Sequence, residues 1–210
     1  MNKIFTKLRN VILNRIKGFK QDHKFRRQAK NTVELRKKKT TDYDRWSKPQ
    51  ELYEDWNERT AILGVFINQG AKVIEFGAGN MALKRFLPPS CSYTPSDIYK
   101  RNEEILVCDL NHLIKLDLSK YDTAVFSGVL EYVYDIDEVF RQLENSVKNV
   151  VLSYACSDIS NANRLKRGWL SDYEKLELES VFWKYNYEIS NYKEWKNQSI
   201  YSLEYKNQRE

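Results

Sequence analysis

The stretch AKVIEFGAGNMALKRFLPP, residues 71–89, constrains the fold of this chain more than any other. An apolar run ending in Glu75 and Phe76 leads into two glycines separated by one residue, and a segment with helical periodicity follows. This order predicts a buried strand, a glycine turn and the start of a helix. Glycines at the carboxyl end of a parallel strand let a ligand approach the backbone where a Cβ would collide. The stretch therefore predicts a ligand pocket at Gly77 and Gly79.

Further strands and helices follow this first unit. Helical segments are predicted at 135–147, where Asp135 can cap and Glu138 sits three residues later, and at 171–185. Their alternation with strands predicts an α/β fold with a mostly parallel sheet. The last two strands are too close in sequence for a crossover and must pair as an antiparallel hairpin. The predicted strands are 72–76, 92–98, 105–110, 123–128, 149–155, 187–192 and 199–205.

The charge of the chain is divided unevenly. Residues 1–40 contain 14 Lys or Arg against 2 acidic residues, a net charge of +12, whereas the other 170 residues contain 21 against 27, a net charge of −6. Apolar residues in this basic arm recur at helical spacing, which predicts an amphipathic helix ending near Gly18. They are Ile4, Leu8, Val11, Ile12, Ile16 and Phe19. Residues 1–20 could contact an anionic membrane surface or a protein, including the domain itself, and residues 36–39 are predicted as a solvated linker.

Three regions are expected along the chain: a basic amphipathic helical arm (1–40), a helical extension or lid (41–70) and the ligand-binding domain (71–210). Pro49 could occupy the first turn of the helix in the second region. Cys91, Cys108 and Cys156 are far apart and form no CxxC pair, so neither a disulfide framework nor a metal site is predicted. No apolar run approaches the roughly 18 residues needed to span a bilayer. The expected location is the cytoplasm, with peripheral contact to the inner membrane face as an open alternative.

The first motif alone leaves the ligand open. Asp97 falls 18 residues after Gly79, at the end of the next predicted strand, where a carboxylate can bind ribose hydroxyls. This pattern fits a nucleoside. However, GAGNMA also satisfies the GxGxxA form of the dinucleotide fingerprint, and a tight turn needed only for packing is a third reading.

Three further segments narrow the choice. They are LVCDLN (106–111), YDTAVFSGVLEYVYDIDEVFRQL (121–143) and the hairpin after GWLSDYEKLELESVFWKYNYEIS. With EFGAGN and SDIY, they resemble the class I S-adenosylmethionine-dependent methyltransferases over about residues 70–206. The combination of EFGAGN, SDIY, CDLN, FSGVLEYV and a late GW followed by QSIYSLEY is similar to bacterial methyltransferases that act on sugars of surface polysaccharides or related small acceptors. The resemblance implies a Rossmann-like sheet of seven strands, S-adenosylmethionine as cofactor and no metal.

The resemblance also implies ten cofactor-binding residues at the ends of the first four strands. They are Glu75, Gly77, Ala78, Gly79, Asp97, Ile98, Asp109, Leu110, Ser127 and Gly128. In such proteins the glycine turn surrounds the methionine part, the second acid holds the ribose, the third flanks adenine, and the Ser-Gly pair lies beside the sulfonium. This sequence departs twice from the pattern. Met81 replaces a third glycine, and the stretch YKRNEE is too short for a helix between the second and third strands.

The residues expected at the acceptor are fewer. Glu131 and Tyr132 occupy the position that faces the acceptor in the resembling proteins. An alcohol acceptor must lose a proton, and either Glu131 or His112 is a candidate base, whereas a tyrosine is a poor base at neutral pH. Acceptor binding is predicted for aromatic and basic residues of the extension and of the segment after the fifth strand. They are Trp46, Tyr154, Arg164 and Trp169.

The leading hypothesis is an O-methyltransferase for a sugar or another small hydroxylated acceptor in surface polysaccharide biosynthesis. An RNA methyltransferase that uses the basic arm is the second enzymatic hypothesis, although the sequence lacks an NPPY-like motif and the paired cysteine motifs of such enzymes. A nicotinamide oxidoreductase and a non-catalytic binding module also stay open. A nucleic-acid partner is the less favoured expectation.

Overall fold

The computed structural model describes residues 2–52 and 56–206, and within the first helix it describes side chains at residues 15, 18, 19 and from 21 onward. The helices are α1 (Asn2–Lys38), α2 (Tyr43–Trp46), α3 (Asn57–Val65), α4 (Ile136–Leu143), α5 (Arg164–Arg167) and α6 (Lys175–Lys184). The strands are β1 (Lys72–Phe76), β2 (Ser92–Asp97), β3 (Leu106–Val107), β4 (Thr123–Ser127), β5 (Asn149–Tyr154), β6 (Tyr187–Trp195) and β7 (Gln198–Tyr205).

The strands form one seven-stranded sheet in the order β3-β2-β1-β4-β5-β7-β6. The first five strands pair in parallel, and β7 inserts antiparallel between β5 and β6. The predicted α/β fold, with its Rossmann-like parallel sheet and its terminal hairpin, is confirmed. The strand predicted at 105–110 is reduced to two residues at the sheet edge. The hairpin strand predicted to end at 192 extends to Trp195, because Lys196 and Asn197 turn the chain within two residues at positive φ.

Side-chain alternation along the central strands supplies a core on each face of the sheet. Ile74 and Phe76 of β1 join the larger cluster, which includes buried residues of α4 and α6. Val73, the residue before Ile74, points to the other face and joins the smaller cluster, which includes Leu63 of α3. Phe76 and Phe126, partners in neighbouring strands, stack with ring centroids 5.1 Å apart. Both faces of β1 and β4 are therefore buried, which leaves their carboxyl ends as the edge where a ligand can enter.

Helix α1 is longer than predicted. It runs through Gly18 to Lys38, because one glycine weakens a helix by about 1 kcal/mol without ending it. The expected end near Gly18 is wrong, and so is the linker at 36–39. Arg36 donates to the carbonyl of Trp169 at 2.8 Å and pairs with Asp172. Among the described residues, no helix is long and apolar enough to cross a membrane.

In the described part of the region 41–70 lie the helices α2 and α3, with a 3-10 turn at Pro49–Glu51 between them. Pro49 is the first residue of that turn, and a proline was expected to begin a helical segment there. After the glycine turn the expected helix is only a 3-10 turn, Ala82–Arg85. Pro88 and Pro89 follow closely, and the residue before a proline avoids the helical region, so a longer helix has no room.

The two helices predicted in the carboxyl-terminal half are present with different bounds. Asp135 caps α4 by accepting from the backbone N–H of Glu138, as predicted, although the helix ends at Leu143 instead of 147. Helix α6 begins at Lys175, after a capping box at Glu174, and not at 171. All three cysteines are free. Among the described residues, no group of histidine, cysteine or acidic side chains could hold a metal ion.

Candidate active site

A cleft that is partly open to solvent lies at the carboxyl ends of β1, β2, β3 and β4. All ten residues predicted to bind the cofactor line it, so the structure brings together side chains from four strand ends. The opposite wall comes from the extension before β1. Its lining residues are Thr41, Trp46, Leu52, Trp56, Asn57, Arg59 and Thr60. The extension therefore forms one wall of the pocket.

The glycine turn after β1 has the backbone that its sequence predicts. Gly77 and Gly79 have φ values of +68° and +54°, in the region that disfavours any residue with a Cβ. A Cβ on Gly77 would lie 2.5 Å from Cγ2 of Val129. Met81, which replaces the family's third glycine, also has a positive φ, +58°. The turn is thus strained at Met81 and closely packed at Gly77.

Glu75, the last charged residue of β1, lines the pocket with its side chain buried. Burial raises the pKa of Glu75 to about 8, and the nearby Asp97 adds to this, whereas the hydroxyl of Tyr93 and the charge of Arg59 oppose it. Tyr93 donates its hydroxyl proton to Oε2 at 2.5 Å. A carboxyl group that titrates near neutral pH therefore faces the ligand space.

Asp97 ends β2 and is also buried. Its Oδ2 accepts from the backbone N–H of Gly79 at 2.8 Å, and its Oδ1 accepts from Tyr99 and pairs with Arg101 at 3.1 Å. A carboxylate oxygen can accept about two hydrogen bonds, so Oδ2 retains a position for a ligand hydroxyl. This arrangement suits the predicted contact with ribose.

Asp109 shows how the extension replaces a missing helix. No helix lies between β2 and β3, as predicted, and the lid covers this side of the cleft. The hydroxyls of Thr41 and Tyr43 donate to Oδ2 of Asp109 at 2.8 and 2.6 Å. Burial and the contact with Asp109 raise the pKa of Tyr43 to about 12, so this hydroxyl keeps its proton. Arg101 also donates a hydrogen bond to the carbonyl of Trp46, which is a second contact between the extension and this side of the cleft.

Arg59 is a site residue that the sequence analysis missed. From the first turn of α3 it donates to the carbonyl of Ser127 at 3.1 Å and to Oε1 of Gln198 at 3.0 Å. Gly128 has φ +64°, and a Cβ there would lie 2.4 Å from the guanidinium. Gln198 is 139 residues from Arg59 in sequence, and no local motif marks the pair. The signal in the sequence is Gly128, because a glycine at the end of β4 indicates that another group approaches the backbone closely there, and that group is the guanidinium of Arg59.

Of the three candidate catalytic residues, only Tyr132 lines the pocket. Burial raises the pKa of Tyr132, so it keeps its hydroxyl proton. Glu131 is buried behind it, where Oε1 accepts from the backbone N–H of Ala155 at 3.0 Å and burial raises the pKa of the carboxyl group. The side chain of His112 is 70% exposed and lies outside the lining, with Nε2 3.6 Å from Oδ2 of Asp109. The identity of the base stays a prediction.

The predicted acceptor residues separate into two groups. Trp46 lines the pocket and packs edge-on against Tyr132, with ring centroids 4.7 Å apart. Tyr154, Arg164 and Trp169 do not line it. Arg164 donates to the hydroxyl of Tyr154 and lies 4.8 Å from the ring of Trp169, and both aromatic residues are buried. These three side chains hold the segment after β5 in place, and sequence reasoning overlooked that strand-end residues can serve the framework.

Comparison with protein families decides the class to which this pocket belongs. A family model described as a methyltransferase domain matches residues 43–191, which is most of the chain. The chain belongs to this methyltransferase domain family. The predicted class, the S-adenosylmethionine-dependent methyltransferases, is confirmed, and S-adenosylmethionine is the cofactor of that class.

Several solved structures share the fold at low sequence identity. The O-methyltransferase NcsB1 from neocarzinostatin biosynthesis, in complex with S-adenosylmethionine, has a TM-score of 0.61 at 13% identity, covering 89% of this chain and 69% of its own. A methyltransferase from Mesorhizobium loti has 0.54 at 14% identity, covering 68% and 95%. The PH0226 protein from Pyrococcus horikoshii has 0.55 at 13%, covering 73% and 92%. A search of curated proteins found no match.

The lining residues fit this cofactor chemically. S-adenosylmethionine contains an ammonium and a carboxylate on its methionine part, and the pocket offers a carboxyl oxygen of Glu75 to the ammonium and the positive charge of Arg59 to the carboxylate. Asp97 retains an acceptor position for a ribose hydroxyl, and Asp109 would lie beside the adenine. When bound, S-adenosylmethionine supplies an electrophilic methyl group.

Proposed function

We propose that this protein is an S-adenosylmethionine-dependent O-methyltransferase that acts on a sugar or another small hydroxylated acceptor in surface polysaccharide biosynthesis. One observation carries the proposal. The acids at the strand ends and the aromatic pair Trp46 and Tyr132 line the same cleft. A cleft covered by the extension suits a small acceptor better than a folded macromolecule. Aromatic ring faces also suit the apolar face of a sugar.

In this proposal the chain works mainly by positioning. Holding the acceptor oxygen in line with the transferred methyl can lower the barrier by roughly 7–11 kcal/mol in favourable cases. Trp46 and Tyr132 orient the acceptor, and the hydroxyl of Tyr132 keeps its proton and can donate a hydrogen bond to it. The glycine turn and Asp97 keep the other reactant fixed.

Glu131 and His112 stay the candidate bases. Glu131 lies next to Tyr132 in the 3-10 turn after β4 but does not line the cleft, and burial raises its pKa above that of an exposed carboxylate. Its Oε2 has no hydrogen-bond partner among the described residues, so this oxygen has capacity for a proton. Arg59 and Arg164 lie near enough to oppose the rise in pKa by their charge.

The neighbour NcsB1 supplies a first acceptor class to compare with sugars, because its complex contains a hydroxylated naphthoic acid. Nucleotide sugars and glycan fragments form the main panel, and hydroxylated aromatic acids form the second. Transfer of a labelled methyl group to a hydroxyl of either panel would support the proposal, and the product would tell oxygen from nitrogen methylation.

The first experiment is a calorimetric titration of the full chain with S-adenosylmethionine, S-adenosylhomocysteine and, as control, NAD. Micromolar binding of the first two, without NAD, is the expected result. Binding of NAD alone would overturn the proposal, and binding of none of the three would favour a non-catalytic module. Methylation of RNA that is lost on deleting residues 1–40 would move the acceptor to nucleic acid.

A further inference from the structure

The two carboxyl oxygens of Glu75 lie in different surroundings. The side chain is buried and lines the cleft near the end of β1. Oε2 accepts a hydrogen bond of 2.5 Å from the hydroxyl of Tyr93, which lies on the neighbouring strand β2. Oε1 has no hydrogen-bond partner among the described residues. The protein therefore holds one oxygen of this carboxyl group and leaves the other available to a ligand in the cleft.

Tyr93 acts only as a donor in this contact. Burial raises the pKa of Tyr93, and the charge of Glu75 and the hydrogen bond to it add to the rise, so the phenol keeps its proton. When Glu75 is protonated, the oxygen that accepts from the phenol stays the acceptor, and the proton belongs on Oε1. A proton and a ligand donor therefore compete for the same oxygen.

The charged groups around Glu75 come from β2 and α3. Burial raises the pKa of Glu75 to about 8, and the negative charge of Asp97 adds to the rise, whereas the hydroxyl of Tyr93 and the charge of Arg59 oppose it. Glu104 lies near enough to Tyr93 to raise the pKa of the phenol as well. The register partner of Glu75 on β4 is apolar. Without a bound cation, Glu75 therefore carries its proton at neutral pH.

The cofactor brings a cation that suits this oxygen. The methionine part of S-adenosylmethionine, like that of S-adenosylhomocysteine, carries an ammonium group with three N–H donors and no acceptor. An ionised Oε1 accepts from the ammonium and pairs with its charge, whereas a protonated Oε1 has no charge and carries a donor of its own. As the ammonium arrives, the O–H bond at Oε1 breaks, the proton passes to solvent, and an N–H···O hydrogen bond forms in its place.

We propose that Tyr93 is a positioning residue of the cofactor site, which holds Oε2 of Glu75 so that Oε1 exchanges its proton for the ammonium of the cofactor. This role rests on the proposed function, in which the cleft binds S-adenosylmethionine. Its consequence is that cofactor binding follows pH. Below pH 8 each bound molecule displaces up to about one proton, so the affinity rises with pH toward that value and then levels off.

Calorimetric titration of the full chain with S-adenosylhomocysteine between pH 6 and 8.5 tests this exchange. The affinity of the native chain should rise by about tenfold per pH unit from pH 6 to 7.5. Titrations at pH 6.5 in buffers of different ionisation enthalpy should show the release of about one proton per bound molecule. Glu75→Gln should show neither effect, because an amide does not titrate in this range.

Tyr93→Phe removes the hydroxyl and keeps the ring. Because the hydroxyl holds the pKa of Glu75 down, its loss should move the midpoint of the pH profile upward by roughly one to two pH units. Tyr205→Phe is the matched control, since it removes a hydroxyl that donates at 2.5 Å to Oδ1 of Asn145, outside the cleft. This control should keep the native profile. A purely structural loss in Tyr93→Phe would instead lower the affinity equally at every pH.

Each outcome decides a different point. Binding that does not change with pH, or that releases no proton, would overturn the exchange at Glu75 and leave the proposed function standing. Identical profiles for Tyr93→Phe and the native chain, or a uniform loss of affinity in Tyr93→Phe, would overturn the positioning role of Tyr93. Circular dichroism shows whether this variant is folded, and if it is not, the proton count of the native chain and of Glu75→Gln decides. Absence of binding at every pH would overturn the proposed function as well.

Discussion

The backbone N–H of Gly79 donates a hydrogen bond of 2.8 Å to Oδ2 of Asp97. This contact joins the glycine turn after β1 to the acid that ends β2, two motifs 18 residues apart in sequence. A charged acceptor makes such a bond stronger than a neutral one. The glycine turn and Asp97, which would contact different parts of the cofactor, are therefore held together by a hydrogen bond in the absence of a ligand.

Replacing Asp97 with asparagine should weaken cofactor binding while leaving the fold in place. The amide keeps one acceptor oxygen but loses the charge that faces Arg101 and the ligand hydroxyls, a loss of roughly 1.5–3 kcal/mol or about 10–100-fold in affinity. Calorimetry with S-adenosylhomocysteine measures this change. Asp117→Asn, at a site 55% exposed and outside the pocket, is the control, and an equal loss in both variants would contradict the role of Asp97.

Gly77→Ala should destabilise the protein more than Gly70→Ala. Both glycines have positive φ, so each alanine bears the strain of the left-handed conformation, about 1–2 kcal/mol. Only Gly77 adds a contact of 2.5 Å with Val129, whereas a Cβ at Gly70 meets nothing within 4 Å. Urea unfolding of the two variants compares them directly. Equal free energies of unfolding would show that the packing against Val129 is easily relieved.

Glu75→Gln should change how stability depends on pH. The pKa of Glu75 is raised from 4.5 to about 8 by burial, so the folded state holds the proton more tightly than the unfolded state. Its stabilising contribution is fully present below pH 4.5 and is lost as the pH rises to about 8. Glutamine does not titrate, so the variant should gain roughly 3–5 kcal/mol relative to the native chain across this range. Urea unfolding at several pH values measures the difference, and parallel curves would show that Glu75 ionises freely.

Trp46→Ala should raise the KM for the acceptor with little effect on the affinity for S-adenosylhomocysteine. The substitution removes the indole ring that would contact the acceptor. Loss of an aromatic contact weakens binding by about 0.5–1.5 kcal/mol beyond the effect of the lost buried area. Trp183, which is 50% exposed on α6, provides the matched control as Trp183→Ala. An unchanged KM in Trp46→Ala would remove this residue from acceptor recognition.

The features of this fold that depend on neighbouring residues could be predicted from the sequence. The bounds of β1 follow from an apolar run closed by a glycine, and the cap at Asp135 follows from residues three apart. Parallel topology then brings strand ends to one edge, which is why acids distant in sequence line one pocket. By contrast, the end of α1 was missed because Gly18 is a weak breaker, and helix length depends on docking at Thr32 and Arg36.

The sequence by itself determined the succession of strands and helices along the chain, because that succession follows from short-range patterns, and its resemblance to a known family implied the ten pocket residues. Only the tertiary structure decided the rest of the site. Thr41 meets Asp109 across 68 residues, and Arg59 meets Gln198 across 139. One step along a single 3-10 turn separates Tyr132 in the lining from the buried Glu131. Such contacts depend on how distant segments pack and on which side of a turn each side chain falls, and no local pattern records either.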